Sequence, residues 1–470
     1  MRQFSYFSAI FLVIFIIFGY AICSASLDNI PDGSPGMPPG QEGIGNGQPP
    51  SGGTPPSGAP PGGSGGNQGT SFTLSGNFTV DGKTVSESDR SYTSDKTDTS
   101  AIYVTNKGSL SLKNPIISTT GNTSNNDASS FYGLNGAVLA NNASTVKISG
   151  GSITTTGTGA NGAIPTGEGT SISLDNLTIT ASGNGGHGVM ATLGGTLTLV
   201  DVNVITSGKN GAPIATDRGS GTVTVTRGTI SSSGIDSPGL YSTGVINVTD
   251  AIVKSVGTEA AVIEGINSIH LVNTSLSGGV EKTGGTMIYQ SFSGDAETGT
   301  GTFTMDGGSY EPIAGPAFFV TNTDSVITLK NVKMIGTPDL LIKAAGTSRW
   351  GTQGKNGGIV IFYADNVQLT GSLETDAISS ISATLKNGST LSGAINTSAI
   401  SLDETSSWNV TADSTLTSLK DSAGIVDSSI TNIIGNGFTV TYDKNNADNN
   451  ELEGMTFSLK NGGTLTPKSS

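Results

Sequence analysis

Ten times between Leu110 and Val367 the chain repeats one short arrangement: apolar, any residue, apolar, four residues, apolar. Examples are Val146/Ile148/Ile153, Ile172/Leu174/Ile179, Leu197/Leu199/Val204 and Val223/Val225/Ile230, and the last is Val360/Phe362/Val367. From one middle residue to the next the steps are 36, 26, 25, 26, 23, 23, 34, 24 and 33 residues. A recurring unit of this size predicts a stacked array whose units bury their apolar faces only against neighbours. Within one unit, the first two apolar residues share a face at period two, as on a strand. The five-residue step to the third reverses the alternation. The chain must therefore bend or bulge between them, at places such as Gly150-Gly151 or Asp175-Asn176.

A second apolar element follows in each unit, such as Ala163-Ile164-Pro165, Val189-Met190-Ala191 and Ala261-Val262-Ile263. Nine residues past the middle apolar residue stands Gly in six units (Gly121, Gly157, Gly183, Gly208, Gly234 and Gly257), which predicts a turn needing positive φ. Three short strands and three turns in about 25 residues predict one coil of an all-β, right-handed parallel β-helix, with roughly a dozen coils. A propeller blade needs about 40 residues and four strands, so it fits poorly. Residues 72–80 and 101–112 alternate apolar and polar positions and read as capping strands over the first coil. Past Leu369 the repeats shorten, as the narrower end of the same solenoid.

Three segments follow. Residues 1–25 read as a signal peptide, with Arg2, an apolar run and small residues at a cleavage site around Cys23-Ser24-Ala25. Residues 26–70 carry strings such as Pro38-Pro39-Gly40 and Pro60-Pro61-Gly62-Gly63, without apolar periodicity, and read as a disordered Pro/Gly linker. Residues 71–470 are the β-helix. Secretion or display at a cell surface is expected, with no membrane span once the leader is removed. Cys23 is the only cysteine, so no disulfide staples the fold. The net charge of −14 disfavours nucleic acid and anionic membranes. It permits calcium without specifying it, and no cofactor or metal-ligand cluster is implied. Nothing in the sequence sets an oligomeric state.

The coils make the chain similar to the right-handed parallel β-helix superfamily, which includes pectate lyases, polygalacturonases, phage tailspikes and adhesin passenger regions. Ala215-Thr216-Asp217-Arg218-Gly219, Met287-Ile288-Tyr289-Gln290-Ser291-Phe292-Ser293-Gly294-Asp295, Val320-Thr321-Asn322-Thr323-Asp324 and Arg349-Trp350-Gly351 resemble segments of secreted, adhesin-like microbial members. That resemblance implies location more than chemistry. Polygalacturonase-like enzymes carry Asn-Thr-Asp, Asp-Asp, Gly-His-Gly and Arg-Ile-Lys in that order. Here Gly186-His187-Gly188 precedes Asn322-Thr323-Asp324, and the other two motifs are absent. His187 falls where the previous coil has Asn161, which makes it a turn residue.

Stacking the second apolar elements puts Thr192, Thr216, Ser242, Glu264, Gln290 and Thr321 in one column, with Tyr241 and Tyr289 in the column before it. Asp217 and Glu264 then lie two coils apart, about 9–10 Å. That approaches the separation of the two carboxylates of an inverting glycosidase, while Arg218 beside them suits a lyase acting on an acidic sugar. Catalytic candidates are thus Asp217, Arg218 and Glu264. Tyr241, Tyr289, Gln290, Phe292, Asp295 and Trp350 are ligand-binding candidates, the aromatic rings for the apolar faces of sugars. The leading expectation is an exported, non-catalytic β-helix serving adhesion or contact with an extracellular glycan or cell surface. The alternative is a polysaccharide lyase or glycoside hydrolase.

Overall fold

The structure, a computed structural model, describes residues 72–468. The expected leader and Pro/Gly linker lie outside the described residues. The described chain forms a right-handed parallel β-helix, with neighbouring coils hydrogen-bonded strand to strand. The middle apolar residues stand in file: Leu112 pairs with Ile148, Ile148 with Leu174, Leu174 with Leu199, Leu199 with Val225, and Val225 with Val248. These side chains join one continuous buried core. In-register backbone ladders fix the spacing between coils, so any apolar residue at an inward position meets another above and below it. One repeat is offset from its predicted place. Leu329 pairs with Ala364 and Ile327 with Phe362, a shift of two that keeps the same residues facing inward.

The predicted bend recurs two residues past the middle position. Asn114, Gly150, Asn176, Asp201, Arg227, Asp250, Asn273, Gly307 and Asn331 all have φ between 46° and 73°. Asn, Asp and Gly tolerate this left-handed conformation best. Arg227 is held there by two hydrogen bonds of 2.7 Å to Asp201, the bend residue of the preceding coil.

The recurring glycine has a different cause from the one predicted. Of the six, only Gly257 has positive φ, at 73°. At Gly157, Gly183, Gly208 and Gly234 a Cβ would strike the carbonyl oxygen of the corresponding glycine one coil away. Close stacking of turn on turn, not backbone handedness, selects glycine there.

The expected capping strands are also corrected. Gly76–Asp81, Thr84–Ser88 and Ser91–Ser94 pair in parallel with Ser100–Thr105, Ser109–Lys113 and Ile116–Thr119. They are the first complete coil rather than a cover over it. At the other end the shortened repeats continue the same ladders.

The three longest steps along the chain are three excursions from the solenoid. The first carries the helix Asn126–Tyr132, capped by the Asn125 side chain and ended by Gly133 in the left-handed conformation. The second spans residues 290–299, and the third residues 345–357. All three pack on the outer face of one ladder, built from strands such as Ile214–Thr216, Ala261–Glu264, Thr286–Tyr289 and Phe318–Thr321. Among the described residues no helix is long and apolar enough to cross a membrane.

Candidate functional site

The register at this ladder differs by one residue from the expected stacking. Ala215 pairs with Tyr241, Ser242 with Ile263, Glu264 with Tyr289, and Tyr289 with Thr321. Glu264 therefore shares a column with Tyr289 and, carried two coils back, with Asp217. Gln290 is not in that column, and Tyr289 is not in the one before it. Thr216 pairs with Ala191 and Ser242 with Ile263, which leaves Thr192 and Glu264 one place further on, and Glu264 pairs with Tyr289, which leaves Gln290 one place further again.

Glu264 is 1% exposed, yet among the described residues no cation pairs with it. The Tyr241 and Tyr289 hydroxyls each donate to its Oε2 at 2.9 Å. The Ser291 hydroxyl donates to Oε1, and that of Ser293 donates to the same oxygen at 3.3 Å. Burial above all, with the Glu264 charge nearby, holds both phenols well above the ordinary tyrosine pKa, so both remain donors. The carboxylate thus has its lone pairs filled by neutral hydroxyls, which is how a buried charge is made tolerable without a counter-ion. The backbone completes the lock: Asn267 Nδ2 donates to the Glu264 carbonyl at 2.6 Å, and Ile266 N donates to the Glu297 carbonyl at 3.0 Å. Gln290, 8% exposed, donates to the carbonyls of Ser291 and Ala296, inside the same excursion.

Arg218 does not face open solvent as a free anion-binding group. Its Nε and Nη2 donate to Asp295 Oδ1 at 3.1 and 2.8 Å, and its guanidinium lies 3.8 Å from the centre of the Phe131 ring. It straps the helix of the first excursion to the loop of the second. Asp217 accepts from the Arg218 backbone N–H at 2.7 Å. Its carboxyl is pushed up to about 8 by burial first, then by the Asp295 charge, with Arg218 opposing and Glu264 adding a smaller push. A carboxyl protonated in the fold and ionised in the unfolded chain favours the fold at low pH. This contribution declines as pH rises from about 4 through 8. Asp217→Asn is expected to flatten this slope, raising the urea midpoint relative to the parent at pH 9 but not at pH 5. An unchanged difference between the two pH values would refute the assignment.

The aromatic candidates separate. Tyr289 is 8% exposed and packs 4.8 Å from Trp350, over which Arg349 lies at 4.4 Å. Tyr241 is half-buried and bridges the two apolar clusters on this face. Phe292, 66% exposed, is the one ring of the set that projects into solvent. The structure therefore brings together Asp217, Arg218, Tyr241, Glu264, Tyr289, Gln290, Asp295 and Trp350, but as a packed latch between excursions rather than an open cleft. Sequence reasoning missed Ser291 and Ser293 as the partners of Glu264, and Phe131 as the partner of Arg218. The Ser-x-Ser spacing and the Asn125…Gly133 capping pair were the available signals.

His187 belongs to a turn, as expected. Its backbone N–H donates to Asn161 Oδ1 at 2.8 Å, and burial pulls its imidazole down to about 4, so it is neutral. It lies several coils from Asn322-Thr323-Asp324, so the two polygalacturonase-like motifs do not converge. Among the described residues no group of three or more His, Cys, Asp or Glu is arranged to hold a metal ion.

At the opposite end of the same strands lies a groove of about 580 Å³. It is walled by the turns that precede Thr286–Tyr289, Phe318–Thr321 and Leu340–Ala344, three successive coils. No protein family, no curated protein and no solved structure matches this chain.

Proposed function

We propose that this protein is an exported, non-catalytic β-helix that serves adhesion by contacting an extracellular glycan or cell surface. The observation that carries the non-catalytic part is the sealing of Glu264. A general base or nucleophile must reach a water or a sugar carbon, and this carboxylate reaches only four hydroxyls of its own chain. Arg218 is likewise engaged on both an edge and a face. The acidic balance and the adhesin-like wording of the coils support an extracellular role. So does a surface dominated by Ser, Thr and Asn, since hydroxyl and amide groups are the usual partners of sugar hydroxyls.

A proton-bearing Asp217 is the single feature that favours the alternative, an acid-dependent glycosidase or lyase. The two readings separate in one experiment. The protein is incubated with neutral and uronate-containing glycans, while unsaturated product, new reducing ends and bound ligand are followed together. Binding without turnover is expected. Product formation abolished by Asp217→Asn would overturn the proposal in favour of catalysis, and absence of binding to every glycan and cell surface tried would overturn it altogether.

A further inference from the structure

Near the C-terminal end of the solenoid a carboxyl group takes a place that leucines hold in the coils before it. Leu385 pairs with Leu402 in the file facing the shaft, and Lys420 pairs with Ser401, which sets Asp421 level with Leu402. Asp421 is 2% exposed. The chain then turns back as a hairpin, Ile425–Val426 against Ser429–Ile434, and brings Asn432 onto it. Asn432 Nδ2 donates to Asp421 Oδ1 at 2.8 Å, and the Gly424 backbone N–H donates to the same oxygen at 3.1 Å. A Cβ at Gly424 would strike both Asn432 Oδ1 and Asp421 Oδ1, so a glycine is what lets the two side chains meet.

Two atoms of this pair are left over. Asp421 Oδ2 and Asn432 Oδ1 are both buried, and neither has a hydrogen-bond partner among the described residues. Two acceptors cannot satisfy one another, and turning the Asn432 amide over would only aim its oxygen at Asp421 Oδ1. One proton resolves both, because a carboxylic acid donates where a carboxylate can only accept. Burial also pushes the Asp421 carboxyl up to about 6, against the pull of the hydrogen bonds from Asn432 and Gly424. Charged groups on the neighbouring elements are turned elsewhere. Lys420, next in the strand, is exposed and pairs with Asp448 of the helix Ala447–Leu452 at 3.7 Å. Asp403, in the preceding coil, accepts from the backbone N–H groups of Asn387 and Ser406 at 2.7 and 2.9 Å. Glu404, Asp427, Asp443 and Lys444 are exposed. None of these is among the groups that move the Asp421 carboxyl.

We propose that Asp421 and Asn432 form an acid-closed clasp: protonated Asp421 donates through Oδ2 to Asn432 Oδ1 and holds the hairpin on the last coils, and loss of that proton loosens it. A carboxyl that holds its proton more tightly in the fold than in the unfolded chain supports the fold at low pH. The clasp is therefore complete below about pH 4, weakens as pH rises towards about 6, and changes no further above that. It works independently of whatever the solenoid contacts.

The test is amide hydrogen exchange on the whole protein, corrected for the intrinsic exchange rate, at Gly424 and at Thr431, whose N–H donates to the Gly424 carbonyl at 2.9 Å. Protection at both amides is expected to fall by about tenfold or more between about pH 4 and about pH 8. Asp421→Asn puts an amide N–H where the acid has its proton, and should keep the acid level of protection at both pH values. Asn432→Ala removes the acceptor, and should lower protection already at the acid pH. Equal protection of the parent at the two pH values would overturn the proposal. So would a pH dependence that survives in Asp421→Asn, which would belong to another group, or full acid protection in Asn432→Ala, which would leave the pair holding nothing.

Discussion

Replacing Glu264 by alanine is expected to destabilise the protein by about 3 kcal/mol and to expose residues 290–299 to protease. Four hydroxyls converge on this carboxylate. Removing it leaves the Tyr241 and Tyr289 hydroxyls without their acceptor, and each buried donor left unpaired costs about 1–3 kcal/mol, while the more exposed Ser291 and Ser293 turn to water. The Ser291 and Ser293 hydroxyls share with the Arg218–Asp295 pair the side-chain attachment of the excursion to the solenoid wall, so the loop should loosen before the solenoid does and become the earliest cleavage site. Glu264→Gln keeps the shape and one acceptor, and should cost about 1 kcal/mol. Urea denaturation followed by tryptophan fluorescence reads both effects, because Trp350 packs on Tyr289 at the rim of the cluster. If Glu264→Ala unfolds at the parental urea concentration, with the loop equally protected, the latch has no structural role. The buried carboxylate would then call for a catalytic explanation after all.

The second large effect is steric. Gly183→Ala should destabilise by about 3 kcal/mol, the upper range for forcing extra volume into a packed site. Its new methyl group would strike the Gly157 carbonyl oxygen, a backbone atom held by the coil below, and neither turn can retreat without breaking ladder hydrogen bonds. Gly257→Ala is the control. That residue has φ of 73° but nothing within 4 Å of the place a Cβ would occupy, so only the left-handed backbone penalises it, by about 1 kcal/mol. The two explanations for the recurring glycine predict opposite rankings. If Gly257→Ala proves the more damaging in thermal unfolding, backbone handedness and not close stacking governs these turns.

The sequence was most informative where the physics repeats. The file from Leu112 through Ile148, Leu174, Leu199 and Val225 was readable because each coil must present an apolar residue to the same shaft. The bends at Gly150, Asn176 and Asp201 were readable because a five-residue apolar step demands a change of face. Readability failed where short apolar runs had to be aligned to a single residue. The assumed column held Thr216, Ser242, Glu264 and Gln290, whereas Thr216 and Ser242 lie one place before Glu264, Gln290 lies one place after, and Tyr289 takes the position beside Glu264. The glycines were located correctly but explained wrongly, because a gap between coils is invisible in a single coil's sequence.

By itself, then, the sequence determined the parallel solenoid, its inward-facing residues and its bends, since hydrogen-bond ladders make each of these a consequence of local periodicity. Only the tertiary structure decided that three excursions, far apart along the chain, meet on one face through Arg218, Glu264 and Trp350, or that a groove opens at the far end of the same strands. Those contacts occur once each, between side chains whose partners follow from the three-dimensional course of the loops. No repeating pattern along the chain encodes them.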